Sequence, residues 1–321
     1  MRNNVLWGAF LCFIAAISWG AMFPVAHDAF KHIDPFYFTI IRYGAVTIIL
    51  LAMLFLKEGK QAFHFEGYGM KLWFFGTMAF TVYNLFIFWG EDLMGQSGVM
   101  VASIMESLMP MISIVILWLF FHKKPHFFTL ICVLVALIGA MFVITKGDLN
   151  SFLSATDDFI PTILIFIAVI GWVIYTMGGS EIKGWSVLRY SALSCLLGTG
   201  TAAIIVAGAT LVGYVSFPTG EVIMSAGPHL LFMIIFPGLI ALLGWNIGVS
   251  ILTPINALLF INFVPVTTLL VSIYQGYEVT KFDILGTVFI ILSLLANNLF
   301  VRYQKSRLKP FTQTDMLERA S

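Results

Sequence analysis

The amino-acid sequence predicts an all-α integral membrane protein with ten transmembrane helices, laid out as two inverted five-helix repeats. Three observations carry that expectation. The chain of 321 residues is 60% hydrophobic and only 10% charged, against about 25% charged residues in soluble domains. Its apolar residues gather into ten runs near the ~20 residues needed to cross ~30 Å of hydrocarbon as a helix. A set of landmarks in the first five runs then recurs, in the same order, in the second five.

The runs fall at 4–27, 36–56, 72–92, 97–121, 127–145, 160–178, 186–213, 229–250, 255–276 and 282–301. Turn-forming or charged breaks separate them: Asp34-Pro35, Lys57-Glu58-Gly59-Lys60, Lys124-Pro125, Asp157-Asp158, Gly227-Pro228 and Thr253-Pro254. The breaks at 92–97 and 250–255 are so short that they predict tight antiparallel hairpins. The first run is too long for the apolar core of a signal peptide, lacks a small-x-small cleavage site and is followed by further spans, so it reads as retained. With the N-terminus inside, thirteen of the seventeen Lys and Arg residues fall on the inner side. That bias places both termini in the cytoplasm and the protein in the cell membrane. Residues 302–321 read as a cytoplasmic tail whose end is mobile.

The landmarks that recur are short but ordered. Ser18-Trp19-Gly20 returns as Gly171-Trp172-Val173, and Ile41-Arg42-Tyr43 as Leu188-Arg189-Tyr190. Phe88-Trp89-Gly90 returns loosely as Gly244-Trp245-Asn246, and Met105-Glu106-Ser107-Leu108-Met109-Pro110 aligns with Phe260-Ile261-Asn262-Phe263-Val264-Pro265. Five is odd, so the second copy must cross the membrane upside down. The repeats are expected over 4–145 and 160–301, with a substrate site near the midplane between them, as in secondary transporters.

Several of these residues also carry a family resemblance. Trp19-Gly20, the run Asp34-Pro35-Phe36-Tyr37-Phe38-Thr39-Ile40-Ile41-Arg42-Tyr43, the mid-span Pro110 and Pro265, and Gln275-Gly276-Tyr277-Glu278-Val279-Thr280 together resemble the EamA-type branch of the drug/metabolite transporter superfamily. The resemblance spans nearly the whole chain. It implies a ten-helix carrier that moves small metabolites, often amino acids, by alternating access and without ATP. One departure stands out: the family's Gly-Glu ending follows the second proline helix here, but the first copy reads His122-Lys123-Lys124-Pro125. The resemblance therefore gives Glu278 a structural or gating role rather than contact with substrate.

Glu106 is the residue the reading turns on, because a lone carboxylate at membrane depth costs several kcal/mol unless paired, hydrated or neutralised, and so marks function by default. It is a candidate proton carrier or cation site, with Arg42 as the nearest counter-charge in the same leaflet; Arg42 can instead reach outward to Glu91 or Asp92. Arg189 is expected to snorkel to the inner surface. Trp19, Tyr83, Trp89, Trp172, Tyr175 and Trp245 fall in helices whose counterparts line the cavity in the resembled family, which suits an amphipathic, aromatic or cationic substrate. Asn84, Asn246 and Asn262 are candidate hydrogen-bonding groups for it, or glue between helices. Pro110 and Pro265 are candidate hinges. Gly244 with Gly248, and Ala16 with Gly20, read as close helix contacts. His27, Asp28, Asp34, Glu91 and Asp92 form an acidic outer rim.

Net charge of +1 argues against a nucleic-acid partner. Cys12, Cys132 and Cys195 lie within apolar runs without metal-ligand spacing, and neither a nucleotide-binding nor a metalloprotease motif occurs, so no cofactor, metal or enzymatic role is expected. The partners expected are a small-molecule substrate, membrane lipids and protons. The function that follows is secondary transport of a small metabolite, with amino-acid export favoured. A membrane-embedded enzyme acting on a lipid or isoprenoid is the alternative. The sequence leaves substrate identity, direction and the choice between monomer and homodimer open.

Overall fold

The computed structural model describes residues 2–122, 124–145, 156–276 and 278–307, in which every regular element is helical. The expected mobile tail beyond 307, and the charges on Lys123 and Lys146, lie outside the described residues. The chain runs α1 (Arg2–Phe30), α2 (Pro35–Glu58), α3 (Gly69–Leu93), α4 (Gln96–Glu106), α5 (Met109–Phe121) and α6 (Phe127–Thr145). It continues through α7 (Thr156–Gly178), α8 (Val187–Leu211), the short helix Gly220–Ser225, α9 (Gly227–Leu252), α10 (Pro254–Tyr274) and α11 (Lys281–Arg307). Seven of these are long and apolar enough to cross a membrane, and α4 with α5, bent by 49°, makes an eighth. The two further predicted spans fall on α6 and α11, which pack along each other.

Local chemistry explains where the helices start and turn. Asp34 caps α2 by accepting the Phe36 N–H at 2.8 Å, with Pro35 in the first turn, where a missing N–H costs nothing. Ser186 caps α8 in the same way through the Arg189 N–H at 3.0 Å. The two short breaks are indeed sharp turns. Gly95 (φ +58°) lets α3 fold onto α4, so closely that a side-chain carbon on Gly98 would lie 2.2 Å from the Glu91 carbonyl oxygen. Thr253 (φ +75°) makes the corresponding turn between α9 and α10.

Two kinds of irregularity occur at matching places in the predicted repeats. Helices α3 and α9 each widen to π-helical geometry, over Thr77–Tyr83 and Ile234–Ile240; such bulges favour functional positions. The helix before each mid-span proline also breaks. Pro110 has no N–H for the Glu106 carbonyl, and the Ser107 and Leu108 N–H groups turn back to Ile104 and Met105 at 3.0 Å each. Before Pro265, the chain tightens to a 3₁₀ turn over Leu259–Asn262.

Small residues bring the helices together. A side-chain carbon on Gly76 of α3 would sit 2.1 Å from the Ser194 carbonyl of α8, and one on Gly198 equally close to the Gly76 carbonyl. On α1, Gly20 lies against Val264 and Thr267 of α10, and Cys12 against Gly248 of α9. The contacts expected of Gly20 and Gly248 are therefore real. In lipid, where burying apolar surface gives little drive, such close backbone approach and van der Waals packing hold helices together.

Candidate functional site

The interior centre is a continuous aromatic cluster. Trp19 of α1 meets Trp172 of α7 at 5.0 Å between ring centres and Trp245 of α9 at 5.2 Å, both edge to face. Trp172 also contacts Tyr83 of α3 at 5.0 Å and Tyr175 at 5.3 Å. From Tyr175 the cluster extends through Phe80 to Tyr43 of α2 and, separately, to Tyr190 of α8. Five of the six predicted aromatic residues, Trp19, Tyr83, Trp172, Tyr175 and Trp245, are thus brought together and buried. Trp89 is not among them; it packs on Phe36 and Tyr214 nearer the far end. Edge-to-face geometry places a positive ring edge on a negative face, worth ~0.5–1.5 kcal/mol per pair beyond contact area.

Polar groups fix these rings. The Trp19 indole donates to the Pro237 carbonyl at 3.2 Å, within the π-helical turn of α9, and the Trp245 indole to Thr176 Oγ1 at 3.2 Å. Asn246 donates both Nδ2 protons, to Tyr175 Oη and Ser191 Oγ at 2.8 Å each. Glu106, 1% exposed, ends α4 at the break and accepts the Tyr83 hydroxyl proton on Oε1. Glu106 Oε2, Ser107 Oγ, Asn84 Oδ1, Trp172 Nε1 and Arg42 Nε have no hydrogen-bond partner among the described residues. Native interiors rarely leave such atoms unsatisfied, so these groups are available to meet a visiting polar group.

Arg42 departs from expectation. It is wholly buried but pairs with neither Glu106 nor Glu91 nor Asp92; among the described residues the ion pairs are Lys31–Asp28 and Arg189–Glu66. Its guanidinium lies over the Tyr43 ring at 4.6 Å, donates to Tyr43 Oη at 3.3 Å and faces the Met22 sulfur. A cation-π contact thus takes the place of the expected carboxylate. Arg189 likewise does not snorkel freely: it lies over Trp185 at 3.8 Å and donates to the Ala62 and His64 carbonyls and to Glu66. The acidic rim loses Glu91, which is 0% exposed with both carboxyl oxygens unpartnered.

Asn84 keeps its Nδ2 on the Ala79 carbonyl at 2.7 Å, inside the π-helical turn of α3. Asn262 does not join the cluster; it bonds its own helix at Leu259 O and lines a cavity of about 570 Å³ among Val5, Leu252, Phe260 and Leu299. Pro110 and Pro265 are buried, and Glu278 is exposed in the turn before α11. Sequence reading missed Thr176, Tyr190 and Ser191, which hold the rings and Asn246; only Tyr190 carried a signal, as the neighbour of the repeated Arg189.

The two ends of the molecule differ. At the end away from the chain termini, Gln275 donates to Asp28 at 3.1 Å, and α1, α4 and α10 leave a void of about 20 Å³ between His27, Gln96 and Ser272. At the end bearing the termini, a vestibule of about 330 Å³ between α7, α8 and α9 reaches Thr176, Tyr190 and Asn246. Beside it, the loop after α2 is bound to the loop before α8. Glu66 accepts the Trp185 indole at 2.7 Å and Arg189 Nη2 at 2.9 Å, which hold its carboxyl below the ordinary carboxylate value, and Ser186 donates to Glu58 at 2.5 Å.

Fold and site together describe a multi-pass membrane protein built around a buried aromatic cluster, and the comparisons place it in the transporter class. The chain belongs to the EamA-like transporter family, whose model matches residues 6–145 and again 160–299. It is 54% identical over 301 residues to the uncharacterized transporter YrdR of Bacillus subtilis (strain 168), covering 94% of each chain. To the uncharacterized transporter YyaM of the same organism it is 24% identical over 300 residues, covering 90% of this chain and 93% of that one. A protein solved by crystallography shares the fold with a TM-score of 0.66 at 16% identity, over 95% of this chain and 99% of the other.

Proposed function

We propose that the protein is a secondary transporter of ten spans in two inverted repeats, 4–145 and 160–301, moving a small amphipathic metabolite by alternating access. Amino acids and related aromatic or cationic compounds are the substrate class, with export the favoured direction. The observation that carries the reading is Glu106: a wholly buried carboxyl at the broken end of a helix, hydrogen-bonded by a tyrosine whose ring belongs to the aromatic cluster. That cluster joins helices of both matched segments. Paired π-helical turns in α3 and α9, and paired breaks before Pro110 and Pro265, support the repeat and the hinge role of those prolines.

Glu106 is assigned to coupling by proton, and Trp19, Tyr83, Asn84, Trp172, Tyr175, Trp245 and Asn246 to a site that opens when the rings part. Asn262, facing the lateral cavity, acts on the helix break rather than on substrate. Arg42, held on Tyr43 beside the cluster, is assigned to gating, and Glu278 to the turn that closes the second repeat. Both termini are assigned to the cytoplasm, and with that orientation the small void at the far end and the vestibule at the near end support a carrier closed outward and accessible from inside.

Purified protein in liposomes, offered a panel of amino acids and organic cations, tests the reading. Saturable uptake accelerated by the same compound on the opposite side is expected. Turnover of a lipid without any flux of solute contradicts it.

A further inference from the structure

Arg42 and Arg189 stand at matching places in the predicted repeats, within Ile41-Arg42-Tyr43 and Leu188-Arg189-Tyr190, but the protein satisfies them differently. Arg189 donates to the Glu66 carboxylate and to the Ala62 and His64 carbonyls. Arg42 is 0% exposed and has no such set. A guanidinium carries five N–H bonds and stays charged in a protein. Among the described residues, the one oxygen Arg42 meets is Tyr43 Oη, 3.3 Å from Nη2; both Nη atoms also touch the Met22 sulfur, a weak acceptor, at 3.7 Å each. Its Nε has no partner there at all. Tyr43 and Phe88, with ring centres 4.6 and 5.7 Å from Cζ, hold the faces of the guanidinium and leave most of its edge unmet.

Arg42 lies at the margin of the aromatic cluster. Tyr43 packs on Phe80 at 5.1 Å and Phe80 on Tyr175 at 5.5 Å. Tyr83, which donates to Glu106, is within electrostatic range of Arg42. Two buried acids stand on α3 and α4, and neither supplies a counter-charge: Glu106 takes its donor from Tyr83, Glu91 has both oxygens unpartnered, and no ion pair joins either to Arg42. A buried cation without a counter-charge is among the costliest groups a membrane interior holds. The planar fork of N–H bonds around it matches a carboxylate through two parallel hydrogen bonds. Of the unpartnered buried atoms around the rings, Arg42 Nε alone belongs to a cation.

We propose that Arg42 is the anion-recognition group of the central site, receiving the carboxylate of a substrate whose apolar or aromatic body lies among the parted rings. The proposal rests on the transport reading for the parting of the rings. It goes beyond a gating role for Arg42 and narrows the substrate class to carboxylates, α-amino acids among them, and away from simple amines. Glu106 and Glu91 are the competing counter-charges within the chain, and the test separates them from an anion on the substrate.

Three probes share one body and differ in the head: 3-phenylpropionate, 3-phenylpropanamide and 3-phenylpropylamine. Their binding to purified full-length protein at neutral pH is measured by calorimetry. The native chain is expected to bind 3-phenylpropionate about ten- to a hundredfold more tightly than the amide or the amine, the usual worth of hydrogen bonds to a charged group. Equal affinities, or no binding of 3-phenylpropionate, overturn the proposal. Arg42→Gln is expected to lower 3-phenylpropionate to the affinity of the amide and leave the amide unchanged, and Arg42→Lys, which keeps the charge without the fork, to fall between. An acid preference that survives Arg42→Gln overturns the proposal. Loss of all three probes together overturns it equally, and is the result expected if Arg42 pairs with Glu106 or Glu91 inside the chain. Where Arg42→Gln does not fold, Arg42→Lys and the native comparison decide. Solute flux in liposomes with no acid preference in binding removes the subsite and keeps the carrier; acid-selective binding that needs Arg42, without flux of any solute, keeps the subsite and removes the carrier.

Discussion

Tyr83 and Glu106 are mutually dependent at the level of single atoms. Among the described residues, the hydroxyl is the only donor to a carboxyl that is 1% exposed, and Oε2 lacks a partner. Tyr83→Phe leaves both oxygens unsatisfied, so a loss of ~1–3 kcal/mol is expected from removing one side of a buried hydrogen bond. Thermal unfolding in detergent reads it, and an unchanged midpoint would mean that the bond does not form. The sequence placed Glu106 correctly inside the protein because a lone acid in an apolar run has few other places to go. It did not give Tyr83 as its partner, because spacing along one helix says nothing of what a neighbouring helix presents. Arg42 failed for a related reason: a buried cation can be satisfied by ring faces and a hydroxyl as well as by a carboxylate, and only the fold reveals that Tyr43 lies beneath it.

Among elements, the closest approach is between α3 and α8. Gly76 and Gly198 put backbone against backbone, with no space for even a methyl group. Gly76→Ala and Gly198→Ala are each expected to cost about 1–3 kcal/mol, the usual range for overpacking a tight contact. Gly200, two residues on, has nothing within 4 Å of the corresponding position, so Gly200→Ala is the neutral control. Thermal unfolding of the three variants separates the cases, and three equal midpoints would contradict the packing. The spans and the tight hairpins were legible from length, apolarity and punctuation. The π-helical turns were legible only in part: residues 77–83 carry no signal for one, whereas Pro237 within 234–240 marks an irregularity without specifying a widened turn. Yet they position Asn84 on the Ala79 carbonyl and Pro237 O under Trp19, and so shape the site more than the regular helices do.

At the scale of the whole molecule, the two matched segments are joined by the aromatic cluster in the interior and by the Glu66–Trp185–Arg189 contacts outside the spans. The Glu66 carboxyl is held below its ordinary value, first by the Trp185 indole and then by Arg189. A carboxyl with a lowered folded pKa stabilises the fold above its unfolded value, ~4.3, and that contribution is lost as pH falls through the folded value. The stability difference between the native chain and Glu66→Gln is therefore expected to be small, constant from pH 7 to about 5, and to vanish in stronger acid. A difference that grows on acidification would reverse the sign and the explanation. The repeat was legible because Trp, Arg and Pro recur in order, whereas the unlike ends, a void of about 20 Å³ at one and a vestibule of about 330 Å³ at the other, were not. The measurement closest to the central claim compares the native protein with Glu106→Gln in liposomes carrying a transported solute, with and without a pH gradient. The account predicts that Glu106→Gln still exchanges solute for solute but no longer responds to the gradient; an undiminished response to the gradient would contradict it.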